Sequence, residues 1–288
     1  MTTNTHTPPS TTLVLGGTGK TGRRVARRLS ESGRAVRIGS RSGRPRFDWQ
    51  DEATWEPVLA GADSAYIAYA PDVGLPGADA VVGRFARAAA AAGVTRLVLL
   101  SGRGEPGALR SEQALRAAGA DWTVVRSSFF MQNFTEDFLA AGVADGEVAF
   151  PAGQTGEPFV DAEDVAAVAA AALLEPGHSG RVYEVTGPRP LTFAQALAEI
   201  GAAAGLTPAY RPLTTREFAA GLVADGADPA FAASLSALLG EVLDGRNTRP
   251  SGGVRQALGR EPCDFADFAR AAAAAGAWRT APAEATGA

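Results

Sequence analysis

The densest chemical signal lies near the start of the chain, in Leu13-Val14-Leu15-Gly16-Gly17-Thr18-Gly19-Lys20-Thr21-Gly22. Gly16, Gly19 and Gly22 form G-x-x-G-x-x-G directly after a short apolar run and at the head of an amphipathic segment. A diphosphate needs backbone N–H groups pointed at it at close range, and side chains would obstruct that approach. Glycines at a strand–helix junction meet the need, and the helix N-terminus adds favourable partial charge. Lys20-Thr21 does not make this a triphosphate-binding P-loop. That pattern wants a glycine five residues before Gly19, and Val14 stands there.

A second set of residues follows at Arg37-Ile38-Gly39-Ser40-Arg41-Ser42. In dinucleotide folds an acid at the end of the second strand binds the adenine ribose of NAD, and an arginine there accommodates a 2′-phosphate. No acid is present. Arg41 can grip phosphate with its planar fork while Ser40 and Ser42 donate hydrogen bonds, so the expected cofactor is NADP(H).

Proton-transfer chemistry is less visible. Many single-domain reductases use a tyrosine with lysine four residues later. The tyrosines here are Tyr66, Tyr69, Tyr183 and Tyr210, and the single lysine is Lys20, so no such pair exists. Hydride transfer to an iminium needs no proton at that moment, and a quinone or enone can take one from water. These electron-poor acceptors are the expected substrates. Tyr69, near a strand end, is the best remaining candidate acid. Phe129-Phe130-Met131-Gln132-Asn133-Phe134 combines aromatics, methionine and amides, which suits a flat apolar ligand held by few polar contacts. Phe130, Met131 and Asn133 are the expected substrate contacts.

Other polar residues have plainer readings. Asp161, Glu163 and Asp164 open a helix, where carboxylates satisfy free N–H groups. Glu112 is expected to cap a helix. His178 sits in a turn, and Trp278 is expected to anchor the last helix.

The elements that must position these residues alternate regularly. Strands are expected at 13–15, 35–39, 65–70, 97–100, 122–126 and 182–185. Helices are expected at 20–32, 79–92, 111–118 and 161–174. Helix, glycine stop and strand recur at Gly33, Gly93 and Gly119, the rhythm of βαβ units. The fold class is α/β, a doubly wound Rossmann parallel sheet with a smaller, mainly helical C-terminal substrate region. The expected division is a flexible tail at 1–11, a cofactor domain at 12–187, a helical region at 188–279 and a second tail at 280–288. Thr192-x-x-Gln195 and Thr214-x-x-Glu217 have capping-box form, and Asp264 opens a last helix.

Composition narrows the function classes. The 288 residues suffice for a substantial core, and no apolar run approaches the roughly 20 residues of a membrane span. Cys263 is the single cysteine, which excludes an internal disulfide and suits the cytoplasm; two histidines leave little for a zinc site. A net charge of −4 argues against nucleic acid as the main partner. A small-molecule substrate, no membrane and a monomer or homodimer are expected.

Together LVLGGTGKTG (13–22), IGSRS (38–42), RFDW (46–49), RLVLLSG (96–102), DWTVVRSSFFMQNF (121–134), PFVDAEDVA (158–166) and GRVYEVTGP (180–188) resemble the NmrA-like atypical short-chain dehydrogenase/reductases. Within them the chain most resembles the ergot-alkaloid oxidoreductase, festuclavine dehydrogenase-like type, and the similarity covers about residues 12–278. The resemblance implies NADP(H) binding and reduction of a small planar substrate in specialised metabolism. The alternative is a non-catalytic NADP(H) sensor acting through a protein partner. The resemblance places Gly16, Thr18, Gly19, Lys20 and Thr21 on the diphosphate, Arg41 on the 2′-phosphate, Ala70 and Pro71 beside adenine and ribose, and Ser101 near the nicotinamide, where it is a candidate catalytic donor. One departure is Arg126-Ser127-Ser128, where members commonly carry Arg-Pro.

Overall fold

The computed structural model describes residues 10–279. The expected tails at 1–9 and 280–288 lie outside them. Thr11, assigned above to the tail, is already in the first strand.

The chain divides by internal contacts into two units. The first comprises residues up to 128, 162–186 and 251–261. It opens with β1 (Thr11–Leu15), α1 (Lys20–Glu31) and β2 (Ala35–Gly39). A short 3-10 turn leads to α2 (Trp55–Leu59), then β3 (Ala62–Ile67), α3 (Ala78–Ala91), β4 (Arg96–Gly102), α4 (Pro106–Arg116) and β5 (Asp121–Ser127). The second unit takes over at Phe129 with α5 (Asn133–Glu136), α6 (Phe138–Asp145) and β6 (Glu147–Phe150). The first unit is completed by α7 (Ala162–Leu174) and β7 (Arg181–Val185). The second continues with α8 (Phe193–Ala204), β8 (Ala209–Pro212), α9 (Thr215–Ala224) and α10 (Pro229–Val242). Then α11 (Gly253–Leu258) packs on α7 and β7 of the first unit, and α12 (Phe265–Ala274) packs on α8 of the second. Segments 129–161 and 251–261 therefore interleave where a linear boundary at 187/188 was expected.

The first unit is a six-stranded parallel sheet in the order β2-β1-β3-β4-β5-β7. Its strands alternate. Leu13, Leu15, Ala65, Ile67, Leu97, Leu99 and Val124 enter one core cluster with Val82, Phe85 and Ala86 of α3 and Leu115 of α4. The intervening Val14, Tyr66, Val98 and Val125 are buried as well. Burial on both faces is what a parallel sheet with two helix layers requires. α3 pairs with α4, and α1 with α7. The latter pair is tied by Glu163, which accepts from Arg24, Arg27 and Arg28. α7 is buried around most of its circumference rather than on one face. This sheet is the doubly wound Rossmann fold expected above.

Several boundaries differ from expectation. The strand expected at 65–70 ends at Ile67, and α4 starts at Pro106, not 111. Proline at the first helical position has no N–H to lose there, so the helix begins where periodicity alone gave no signal.

In the second unit both expected capping boxes form, at Thr192/Gln195 and Thr214/Glu217, and Asp264 caps α12. The two-stranded sheet of β6 and β8 was not anticipated. Its strands have four residues each, too short to show a period. The core of this unit is aromatic: Phe134, Phe150, Phe159, Phe193 and Phe265 are fully buried or nearly so, with edge and tilted contacts.

Candidate functional site at the carboxyl edge of the sheet

β1 lies between β2 and β3, so the chain leaves it in one direction and returns on the other side. Ligands of such sheets bind outside the carboxyl ends of the strands at that reversal. The turn after β1 is built for close approach. Gly16 has φ +69°, a left-handed conformation that disfavours side chains, and its carbonyl accepts from the Gly19 N–H at 2.8 Å. A β-carbon on Gly22 would collide with the Gly16 carbonyl, and one on Gly17 would stand 2.7 Å from Ile38. α1 starts behind this turn with Gly19 as its N-cap. No side chain caps it and no acid lies in its first turn. An uncapped helix N-terminus behind an all-glycine approach fits a diphosphate.

Thr18 and Gly19 are exposed there, and Lys20 is half-buried. Thr21 is turned inward: the buried Tyr66 hydroxyl donates to its Oγ1 at 3.0 Å, joining α1 to β3. Burial raises the Tyr66 pKa far above its ordinary value, the Thr21 bond opposing it. The Thr21 side chain is thus a structural tie, which leaves its backbone as the part of this residue available to the expected diphosphate site.

At the end of β2, Arg41 and Ser42 are exposed. Arg37 is not free for phosphate, since it donates to the carbonyls of Val58 and Ala60 at 2.7 Å each. Arg46 pairs with Asp48 and Asp51. Arg41 and the nearby Arg44 have no carboxylate partner among the described residues. Ala70 and Pro71 lie beyond the end of β3 and are exposed.

The two expected catalytic residues, Ser101 and Tyr69, both have structural partners. Ser101, at the end of β4, is 2% exposed, and its hydroxyl donates to Oε1 of Glu112 at 2.7 Å. Glu112 is fully buried in α4, and it does not cap that helix. It also accepts two bonds from Arg126, at 2.9 and 2.7 Å, and one from Arg116 at 3.2 Å. Arg126 continues to Glu184 of β7 at 2.7 Å, which also accepts from Arg103. The Ser101 proton is engaged in a buried ionic network. Tyr69 stands past β3 with its ring 5.0 Å from that of Trp49, in the aromatic cluster of Phe47, Trp49, Trp55 and Phe85. Burial raises its pKa, with Arg84 opposing, so it is poorly tuned as an acid at neutral pH.

In the second unit, Met131 is completely buried and belongs to the core, which corrects its assignment as a substrate contact. Phe130 is half-buried and forms a bridge with Val160. Asn133 is 6% exposed, and its Oδ1 is buried without a hydrogen-bond partner. Gln132 donates to Asp161 at 2.7 Å. Trp278 donates to the Phe134 carbonyl at 2.7 Å, anchoring the segment after α12. In the first unit, His178 is buried, with Nδ1 2.8 Å from the Tyr183 hydroxyl. Asp164, in the first unit, pairs with Arg260. Among the described residues, no cluster of ligating side chains could hold a metal, and no helix is long and apolar enough to cross a membrane.

One residue at this edge was not singled out by its sequence context. Glu105 lies three residues past the end of β4, at the N-cap of α4, yet makes no side-chain cap bond. Burial, and secondarily the charge of Asp72, push its pKa up to about 8. Nothing in Gly-Glu-Pro marks it, because its setting depends on the loop after β3.

A family profile described as NAD(P)H-binding matches residues 16–176. Festuclavine dehydrogenase of Aspergillus fumigatus is 32% identical over 284 residues, covering 90% of this chain and 96% of its own. The NAD(P)H azoreductase of Xenophilus azovorans is 30% identical, covering 91% and 98%. The crystal structure of an NADPH-dependent quinone oxidoreductase of Escherichia coli, complexed with NADPH, shares the fold with a TM-score of 0.74 at 22% identity, covering 90% and 98%. With a profile spanning more than half of its residues and relatives matched almost end to end, the chain belongs to the NAD(P)H-binding family that this profile describes.

Proposed function

We propose that the protein is an NADPH-dependent reductase that passes a hydride to a small, planar, electron-poor organic acceptor such as an iminium, a quinone or an enone. The observation that carries this reading is the uncapped N-terminus of α1 behind the Gly16–Gly22 turn, with Arg41, which has no carboxylate partner among the described residues, just past the end of the neighbouring strand. The first matches a diphosphate and the second a 2′-phosphate. When bound, the cofactor supplies two electrons and one hydrogen as hydride. The chain's own residues hold it: the backbone of Gly16 to Lys20 at the diphosphate, Arg41 with Ser42 at the 2′-phosphate, and Ala70 and Pro71 beside adenine and ribose. Relatives named for festuclavine, azo and quinone reactions support the acceptor class. Phe130 and Asn133 are the residues of the second unit suited to a flat ligand, one by its half-buried ring and the other by its unsatisfied amide oxygen.

The test is a fluorescence titration with NADPH and NADH, followed by cofactor consumption with a panel of quinones, enones and cyclic iminium salts. Tighter binding of NADPH and turnover on one acceptor class is the expected result. Tight binding with no turnover on any acceptor would replace the enzyme by an NADP(H) sensor. Failure to bind either nucleotide would remove the glycine turn from the argument.

A further inference from the structure

The carboxyl edge of the sheet carries two acids that neither bind an arginine nor cap a helix. β3 and β4 are adjacent and parallel, with Ile67 paired to Leu99. Asp72 follows β3, and Glu105 follows β4 by three residues. Backbone contact brings their loops together: a β-carbon on Gly107, in the first turn of α4, would collide with the Gly74 carbonyl. Gly102 marks where the Glu105 side chain lies. A β-carbon there would collide with the Glu105 carboxyl group, which folds back over the end of β4. Its Oε2 is buried without a hydrogen-bond partner. Asp72 uses Oδ1 to accept from the Gly74 N–H at 2.7 Å.

The contrast with Glu112 sharpens the assignment. Both glutamates belong to the same β4–α4 segment. Glu112 is held by two arginines and a serine, and its charge is fully compensated. Glu105 has no cation beside it among the described residues. Arg103, on its own loop, is turned to Glu184, and Arg110 of α4 is exposed. The charged group that Glu105 feels is Asp72, another acid. A carboxyl group with one oxygen buried and unpartnered, no cation to compensate it and a second acid nearby is pushed towards its protonated form.

We propose that Glu105 is the proton donor of this reductase, with Asp72 as the positioning residue that keeps the proton in place. This deepens the NADPH-reductase reading and rests on it. A quinone that has accepted a hydride is an anion with one proton too few. The Glu105 O–H bond breaks, its electron pair stays on the carboxylate, and the proton moves to the anionic oxygen of the acceptor. Water then returns a proton to Glu105, so atoms and charge balance over the cycle. An iminium acceptor becomes a neutral amine on hydride transfer and does not need this step. Glu105 would thus distinguish acceptors by their proton demand, filling the place that a tyrosine–lysine pair holds elsewhere.

The experiment uses the full chain and the variants Glu105→Gln and Asp72→Asn with three readouts. Infrared spectroscopy of the protein without cofactor should show a protonated-carboxyl band at neutral pH that Glu105→Gln lacks. NADPH affinity by fluorescence should be unchanged in Glu105→Gln. With a naphthoquinone, Glu105→Gln should lose about 10²- to 10⁴-fold in kcat, the usual contribution of a positioned acid, while its kcat on a cyclic iminium salt is retained. The alkaline limb of the wild-type quinone profile should fall near pH 8, vanish in Glu105→Gln, and move to lower pH in Asp72→Asn, because removing the Asp72 charge eases ionisation of Glu105. A wild type that reduces the quinone while Glu105→Gln does so equally well would overturn the proposal and leave the reductase intact. So would equal losses on both acceptors, or a missing infrared band. A rise in KM for the iminium alone would make Glu105 a cation-recognition group instead and overturn its proton role. A wild type that binds NADPH and reduces neither acceptor would overturn the reductase reading and the proposal with it.

Discussion

The Ser101 hydroxyl donates to Glu112 across 2.7 Å, and both side chains are buried beneath the carboxyl end of β4. That bond separates structure from chemistry at this edge. Ser101→Ala should leave kcat within a few-fold of wild type while reducing stability by about 1–3 kcal/mol, the cost of depriving a buried charged acceptor of one partner. Denaturant unfolding and steady-state turnover on the same preparation test it. A large loss of kcat with unchanged stability would return Ser101 to the catalytic site.

Glu112 is the stronger member of the network. Its replacement by alanine leaves Arg126 with one carboxylate, Glu184, near the carboxyl end of β5, where the guanidinium is largely buried. Breaking a buried pair from one side costs about 3–5 kcal/mol. Thermal unfolding of Glu112→Ala should show a loss in that range, larger than for Ser101→Ala.

Arg37, on β2, and Arg41, two residues past its end, make opposite predictions. Arg41→Ala should weaken NADPH binding by about 1.5–3 kcal/mol, as expected for charge-assisted hydrogen bonds, and leave NADH binding nearly unchanged. Arg37→Ala removes two bonds to backbone carbonyls and should lower stability without altering the NADPH-to-NADH ratio. Parallel titrations of both variants with both nucleotides decide between them.

Met131 and Asn133 separate in the same way in the second unit. Met131→Ala empties a fully buried position and should cost about 2–5 kcal/mol in stability. Asn133→Ala deletes an amide oxygen that has no protein partner, so its effect should fall on KM for the acceptor. Equal stability losses in the two variants would place Asn133 in the core.

The Arg189 clamp gives a pH prediction. Its guanidinium donates to Asp264 and to Glu199, at 2.7 Å at closest. The Arg189 bond holds the Asp264 carboxyl below its usual range, against a smaller effect of burial. A depressed folded-state pKa contributes stability that is complete above the unfolded value and lost as pH falls through the folded one. Because the groups are partly exposed, the contribution is about 1 kcal/mol or less. Arg189→Gln should therefore be less stable than wild type at pH 7, with the difference shrinking below pH 4, followed by urea unfolding across that range.

The periodicity of apolar residues and the glycine stops were enough to read the parallel sheet, because a βαβ chain repeats its local signals and each unit can be seen within its own thirty residues. The glycine turn was legible for the same reason: Gly16 to Gly22 are contiguous, and the approach they permit is a local property. Arg41 could be placed by its distance from the end of β2. Ser101, Met131 and Glu105 could not be assigned in this way. Whether a serine is free or engaged with Glu112, whether a methionine lines a cleft or fills a core, and whether a glutamate meets an arginine or an aspartate all depend on side chains brought in from other elements. Local order in the chain determined the fold, the glycine turn and the arginine at the second strand. Tertiary packing decided which polar groups were already paired, because burial and partner charge are set by neighbours distant in sequence.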